Sequence, residues 1–302
     1  MKKPPFILLL LAVIVGLAAP AARPRRETQS LAFQGIPMEL VFRALQPGEV
    51  ILAELKQTPP VKRLILEIRN RRYVLDGSAA GARPFVLIGI DLAVKPEPLL
   101  MRITEEKPDG TVEKFREELF IEAKEFSRKR FYVNEAMLAP PAAEQERVKR
   151  EQELVAAVYG TITPEWLGTG GFMSPLPDRE AAPNFGQQRI YNKSHTSVHQ
   201  GVDIAAPWGS PARASNSGRV ALASSLYLSG KTVIIDHGQG VFSLYCHFSQ
   251  ILVKRGDLVK KGQVIAKVGN TGRSTGPHLH WGIRIFDSRV DPFSLVSLPL
   301  HD

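Results

Sequence analysis

The chain has 302 residues, 44% of them hydrophobic and 23% charged, a globular balance that excludes disorder, collagen and coiled coil and gives a prior of two domains. A single cysteine, Cys246, excludes an internal disulfide and every Cys-rich zinc framework, so a metal site must be built from histidine and carboxylate. The net charge of +9 suits nucleic acid and an anionic envelope polymer equally.

The chain opens with a basic Met1-Lys2-Lys3, an unbroken apolar run from Phe6 to Leu17 and the small residues Ala18-Ala19-Pro20-Ala21-Ala22, the three-part layout of a secretory signal. The run is shorter than the roughly 20 residues that cross a bilayer, so residues 1–22 read as a cleaved signal peptide and not as a membrane anchor. No Cys follows the run, which removes a lipid anchor, and no other stretch is apolar enough to span a membrane. The expected location is therefore the periplasm or the extracellular envelope, where nucleic acid is a poor account of the positive charge.

Residues 30–134 alternate short apolar-polar segments with turn signals. The expected strands are Met38 to Phe42, Val50 to Leu55, Arg63 to Ile68, Arg71 to Leu75, Phe85 to Ile88, Leu99 to Thr104 and Glu118 to Ala123. Breaks such as Gln46-Pro47-Gly48, Asp76-Gly77 and Lys107-Pro108-Asp109-Gly110 fall at the spacing of an immunoglobulin-like β-sandwich. This region has neither His nor Cys, so it reads as a spacer or docking module. Residues 139–160 form a linker and helix: Ala139-Pro140-Pro141-Ala142 breaks the pattern, then Glu144 to Tyr159 is rich in helix formers with Val148, Val155 and Tyr159 on one stripe. From 165 to 302 the pattern returns to short strands with many glycines.

All seven histidines (195, 199, 237, 247, 278, 280 and 301) lie in this C-terminal segment. His278-Leu279-His280 reads as the start of a strand, where residues i and i+2 share a face about 6.6 Å apart, with Leu279 and Trp281 turned into an apolar layer. One imidazole can bind a metal while its neighbour reaches a metal-bound water. His199-Gln200-Gly201-Val202-Asp203 presents a further imidazole and a carboxylate. On a straight strand they would lie about 13 Å apart, so the chain must bend near Gly201, a residue free to do so. Two nitrogens and one oxygen leave a fourth position open, the pattern of a catalytic zinc site.

In Val241 to Phe248, period two puts Ser243, Tyr245 and His247 on one face and Phe242, Leu244, Cys246 and Phe248 on the other. Cys246 is then a buried hydrophobe that cannot form an ion pair with His247, which weakens a cysteine-protease reading; Tyr245 is a candidate substrate contact. No Gly-x-Ser-x-Gly elbow supports a serine hydrolase.

From about Asn184 to Ser294 the chain closely resembles the lysostaphin-type (LytM) zinc endopeptidases of peptidoglycan. The resemblance is carried by Phe185-Gly186, His199-Gln200-Gly201-Val202-Asp203, Ile235-Asp236-His237-Gly238, Tyr245-Cys246-His247 and Thr271 to Trp281. It implies a mainly β molecule whose C-terminal part is an antiparallel β catalytic domain of the duplicated hybrid motif type. It also implies Zn2+ held by His199, Asp203 and His280, with catalytic His247 and His278 beside the metal, His278 being favoured as base. His237 falls in a structural turn motif. In one departure, Gln188 stands where the family often has Arg and Arg189 follows it, which bears on packing or substrate contact. The expected activity is hydrolysis of peptide cross-links of peptidoglycan, with D-alanyl–diaminopimelate as the bond guessed and any envelope regulators unknown. The alternatives are a non-catalytic wall-binding or amidase-activating module, and a lipoyl- or biotinyl-type carrier hairpin at Gly256 to Gly269, which lacks the exposed modified Lys.

Overall fold

The computed structural model describes residues 28–301 except 57–60, 78–83, 133–137, 139 and 193–194; the signal-peptide reading of residues 1–22 lies outside the described residues. Within them, no helix is long and apolar enough to cross a membrane. Alternating apolar residues in the first part form β1 (Gln29–Ala32), β2 (Met38–Phe42), β3 (Val50–Leu55), β4 (Arg63–Ile68), β5 (Arg71–Asp76), β6 (Phe85–Gly89), β7 (Glu97–Glu106) and β8 (Val112–Ile121). They make two antiparallel sheets, β1-β2-β3-β6 and β5-β4-β7-β8. Met38, Leu40 and Ile51 of one sheet and Leu64, Leu66 and Met101 of the other meet in a single buried core.

Strand β8 begins at Val112, six residues before the expected start at Glu118. The segment Val112–Glu117 alternates charged residues with few apolar ones, yet it pairs residue by residue with β7 across the Lys107–Gly110 turn. An outer strand with one solvated face needs few apolar side chains.

The chain then forms β9 (Arg128–Phe131) and α1 (Ala142–Gly160). The helix starts behind Pro141 and ends where Thr161 Oγ1 hydrogen-bonds Ala157 O. Its apolar stripe, Val155, Val158 and Tyr159, lies on Leu222, Leu226, Ile234 and Phe242.

The remaining strands are β10 (Gln188–Tyr191), β11 (His195–Val198), β12 (Val202–Ala205), β13 (Pro211–Arg213), β14 (Gly218–Leu226), β15 (Gly230–Asp236), β16 (Val241–Ile251), β17 (Leu258–Val259), β18 (Val264–Val268), β19 (His278–Ile285) and β20 (Ser288–Val290), before the short α2 (Pro292–Val296). Nine of these strands form one antiparallel sheet whose main path is β12-β19-β16-β15-β14-β17. A separate small sheet, β11-β10-β9, brings a strand from before the helix against two that follow it.

The two halves share buried apolar contacts: Val41, Val50, Leu52 and Leu87 pack into the core of the nine-stranded sheet with Ile283, Ile285 and Val290. Polar ties reinforce this junction. Arg43 bridges Glu49 and Asp291 at 2.8 Å each, Lys124 reaches Glu49 at 2.9 Å, and Arg289 pairs with Asp91 at 2.7 Å. Burial alone would raise the Glu49 carboxyl, but its hydrogen bonds and charge pairing with Arg43, then Lys124, outweigh burial and hold it below the usual range. Its folded value is depressed, so this contribution is present at neutral pH and is lost as pH falls below the ordinary glutamate value of about 4.3.

Removing Arg43 takes from the fully buried Glu49 carboxylate the larger of its two cationic partners and leaves it Lys124. Arg43→Ala should therefore destabilise the protein by about 3 kcal/mol in denaturant unfolding at pH 7, with the deficit shrinking as the solution is acidified. A loss within about 0.5 kcal/mol would show that the junction does not depend on this cluster.

Candidate metal centre

The pairing of β12 with β19 sets Asp203 directly opposite His280. Directly opposed residues of antiparallel strands project to one face with Cβ atoms about 5 Å apart, so a carboxylate and an imidazole meet there without further help from the fold. His199 joins them from the bend between β11 and β12. Its Nε2 lies 3.1 Å from Asp203 Oδ1 and 2.9 Å from His280 Nδ1, and His280 Nδ1 lies 3.0 Å from the same oxygen. Those separations approach the edge of about 3.3 Å that a tetrahedron with bonds near 2.0 Å requires.

The bend depends on Gly201. A Cβ there would meet Trp281 O at 2.5 Å and the His280 ring at 2.9 Å, so a side chain would displace one of the converging imidazoles. Positioning contacts surround the three residues. His199 Nδ1 donates to Asn184 O at 2.9 Å, which leaves the Nε2 lone pair aimed at the cluster. Asp203 Oδ2 accepts from Arg189 Nη2 at 2.7 Å and from Asn184 Nδ2 at 3.1 Å, so Oδ1 is the oxygen left for the histidines. Burial would raise the Asp203 carboxyl, but its close polar contacts with His199 and His280 hold it far below the carboxylate range. Burial pushes His280 down, partly offset by Asp203. The three donor atoms lie within 4.8 Å of one another, an arrangement of two imidazole nitrogens and one carboxylate oxygen that fits a divalent metal ion.

His278 shares the face of His280, as the spacing predicts, while Leu279 and Trp281 are completely buried on the other. Its Nδ1 donates to Gly276 O at 2.8 Å, and its Nε2 stands 3.7 Å from Asp203 Oδ1. The His247 ring lies 4.8 Å from the His278 ring. Burial lowers His247 to about 4 against its hydrogen bond to Thr271 O, so at neutral pH it is uncharged, with Nδ1 donating at 2.8 Å and Nε2 turned to the cavity.

The period-two reading of β16 fails at this point. His247 has a φ of 68°, and the register of β16 against β15 shifts so that Cys246 and His247 together oppose Thr232. This β-bulge turns both side chains to the metal-cluster face instead of splitting them. Cys246 is opposite His280 and lines the same cavity as His247. The cysteine is still no nucleophile, because burial lifts its thiol to about 12. Tyr245 falls on the opposite face, beside Trp281, and is completely buried with its hydroxyl 2.6 Å from Ser215 Oγ and 2.9 Å from Ser243 Oγ. The expectation that Tyr245 contacts substrate is thereby corrected: it anchors the core. His237 continues that buried chain through Ser243, at 2.7 Å, and Ser217 O. His195 pairs with Tyr191 across β10 and β11, away from the three donors.

Arg189 is a residue that the sequence pattern placed one position out of register and left without a role. In the structure it holds Asp203. Phe131 and Leu138, from before α1, join Arg189, Tyr191 and Arg273 in walling a cavity of about 350 Å3 over the donors.

Gly201→Ala should lower bound-metal content after dialysis against a limiting metal buffer at least tenfold while leaving the fold intact by circular dichroism. Arg189→Gln should weaken metal affinity 10- to 100-fold, as loss of a residue that orients a ligand does. Metal retention equal to the parent in both variants would contradict the assigned geometry.

Comparison with known proteins agrees with this architecture. The Peptidase family M23 profile matches residues 197–292. The chain is 43% identical over 132 residues to the DD-carboxypeptidase/endopeptidase Mpg of Neisseria meningitidis serogroup B, covering 43% of this chain and 30% of that protein. It is 39% identical over 127 residues to the peptidoglycan DD-endopeptidase ShyC of Vibrio cholerae, covering 42% of this chain and 29% of that one. These matches thus span less than a third of the relatives' length. A solved Pseudomonas aeruginosa structure assigned to peptidase M23 superposes with a TM-score of 0.62 at 28% identity, over 83% of this chain and 95% of its own. Residues 197–292 of this mainly β chain are a Peptidase family M23 domain.

Proposed function

We propose that the protein is an exported zinc endopeptidase that hydrolyses peptide cross-links of peptidoglycan in the cell envelope. The observation that carries this reading is the convergence of His199 Nε2, Asp203 Oδ1 and His280 Nδ1 beside two further imidazoles in one cavity. His199, Asp203 and His280 would hold the ion, and zinc suits a set of two imidazoles and one carboxylate with a fourth position open. Zinc, when bound, supplies Lewis acidity that lowers the pKa of water and polarises an amide carbonyl.

The chain's own residues handle the protons. His278 is oriented by Gly276 O so that Nε2 is its free acceptor, and it takes the proton of the attacking water at that atom and returns it to the departing amine. His247, held by Thr271 O and uncharged, borders the same cavity and steadies the substrate carbonyl region. Arg189 and Asn184 keep Asp203 aimed. The complete donor set favours catalysis over an amidase-activating or purely wall-binding module. We also read residues 30–134 as an immunoglobulin-like domain, on the pairing β2-β3-β6 in one sheet and β5-β4-β7-β8 in the other, with 139–160 as linker and helix and 165–302 as the peptidase unit.

Purified protein should contain about one zinc per chain and solubilise isolated sacculi. A chelator or His280→Ala should abolish both metal and release. His278→Ala should keep the metal and lose roughly 10²- to 10⁴-fold in rate. Zinc-loaded protein that releases nothing from several sacculus types would overturn the proposal.

A further inference from the structure

Beside the metal centre, and sharing its wall residues Arg189, Tyr191, His199, Leu244, Arg273 and His280, lies a second cavity of about 430 Å3. Its lining contains four arginines, Arg189, Arg273, Arg284 and Arg289, and no aspartate or glutamate. Two of the four are spent: Arg189 on Asp203 and Arg289 on Asp91, each at 2.7 Å. Arg273 and Arg284 have no carboxylate partner among the described residues.

We infer that Arg273 and Arg284 form a carboxylate-binding subsite that selects cross-links carrying a free carboxylate next to the scissile amide. The inference deepens the endopeptidase reading and rests on it. Both side chains are prepared for such a group. Arg284 Nε donates to Phe286 O at 3.0 Å and its guanidinium lies 4.7 Å over the Tyr159 ring. That fixes the plane of the fork and leaves its terminal amino groups unbonded among the described residues. Arg284 lies on β19 four residues after His280, on the same face and about 13 Å along the strand, so its long side chain meets a substrate group within two residues of the metal.

Arg273 stands on the opposite bank, in the loop after Thr271. Its backbone N–H donates to Leu228 O at 2.8 Å, while Thr271 Oγ1 donates to Phe248 O at 2.7 Å and accepts from Lys231 N at 2.9 Å. The loop passes so close to the β14–β15 turn that a Cβ on Gly272 would strike the backbone of Gly230, and Gly272 has a φ of 73°. The Arg273 side chain has no hydrogen bond among the described residues, and it borders both cavities. A planar guanidinium matches a carboxylate with two parallel hydrogen bonds, which an uncharged amide cannot reproduce. Two uncompensated guanidinium groups, Arg273 on the wall of the metal cavity and Arg284 in the adjoining one, therefore favour an anionic substrate group over a neutral one.

The test uses the metal-loaded full chain and two synthetic cross-linked peptides. They are identical except that the residue supplying the scissile amide nitrogen bears either a free carboxylate or a carboxamide. The expected result is a kcat/KM at least tenfold higher for the carboxylate peptide, the scale of a hydrogen-bonded charge. Arg273→Gln and Arg284→Gln should each move that ratio towards one, chiefly through KM, and Arg273→Lys should keep part of it. A variant that folds poorly loses rate on both peptides and leaves the ratio unchanged, so the parent comparison still decides. Equal cleavage of both peptides by the parent, or preference for the carboxamide, overturns the subsite while leaving the endopeptidase intact. Failure to cleave either peptide or sacculi removes the endopeptidase reading itself.

Discussion

One backbone register underlies the site: Asp203 faces His280 across the β12–β19 pair. A slip of a single residue would send either side chain to the opposite face, where Leu279 and Trp281 are completely buried. The apolar layer therefore specifies the polar one. Burying the apolar surface of an indole such as that of Trp281 contributes about 3 kcal/mol, offset in part by an Nε1–H with no hydrogen-bond partner among the described residues, and this sets the scale of the cost of exposing it by slippage. The third donor, His199, lies outside both strands and depends on a bend that tolerates no side chain at Gly201.

Around these donors the structure commits the second hydrogen-bonding atom of most side chains before any substrate arrives. His199, His247 and His278 each commit Nδ1 to a backbone carbonyl, of Asn184, Thr271 and Gly276 respectively, and so present Nε2 to the cavity. Asp203 commits one oxygen to Arg189 and Asn184 and presents the other. Preorganisation of this kind spares the site reorientation during the reaction. The first half of the chain contributes as well: it shares core contacts with the nine-stranded sheet and sends β9 and Leu138 to the cavity wall.

Much of this was legible in the sequence because two devices have simple periods. The i, i+2 spacing of His278 and His280 in a strand dictates a common face, and the His199–Asp203 distance demands a bend at the one glycine between them. The alternation in residues 38–106 likewise marks most strands of the first part. Four features were not legible, each for a physical reason. The bulge at Cys246 and His247 arises from the mismatch between β15 and β16, a tertiary fact that no local pattern records, and it puts His247 on the same face as Cys246. Tyr245 carries a polar tip that suggests exposure, but Ser215 and Ser243 satisfy its hydroxyl inside the core. Arg189 is displaced by one position from the motif and reaches Asp203 through the three-dimensional meeting of β10 with β12. The charge-rich start of β8 was missed because an outer strand can be held mainly by its ladder to β7.

The most direct measurement is X-ray absorption at the zinc K-edge of the metal-loaded full chain. The account predicts two imidazole nitrogens, one carboxylate oxygen and one exchangeable solvent oxygen at distances near 2.0 Å. A sulfur scatterer from Cys246, or a closed shell of four protein atoms with no exchangeable position, would contradict it.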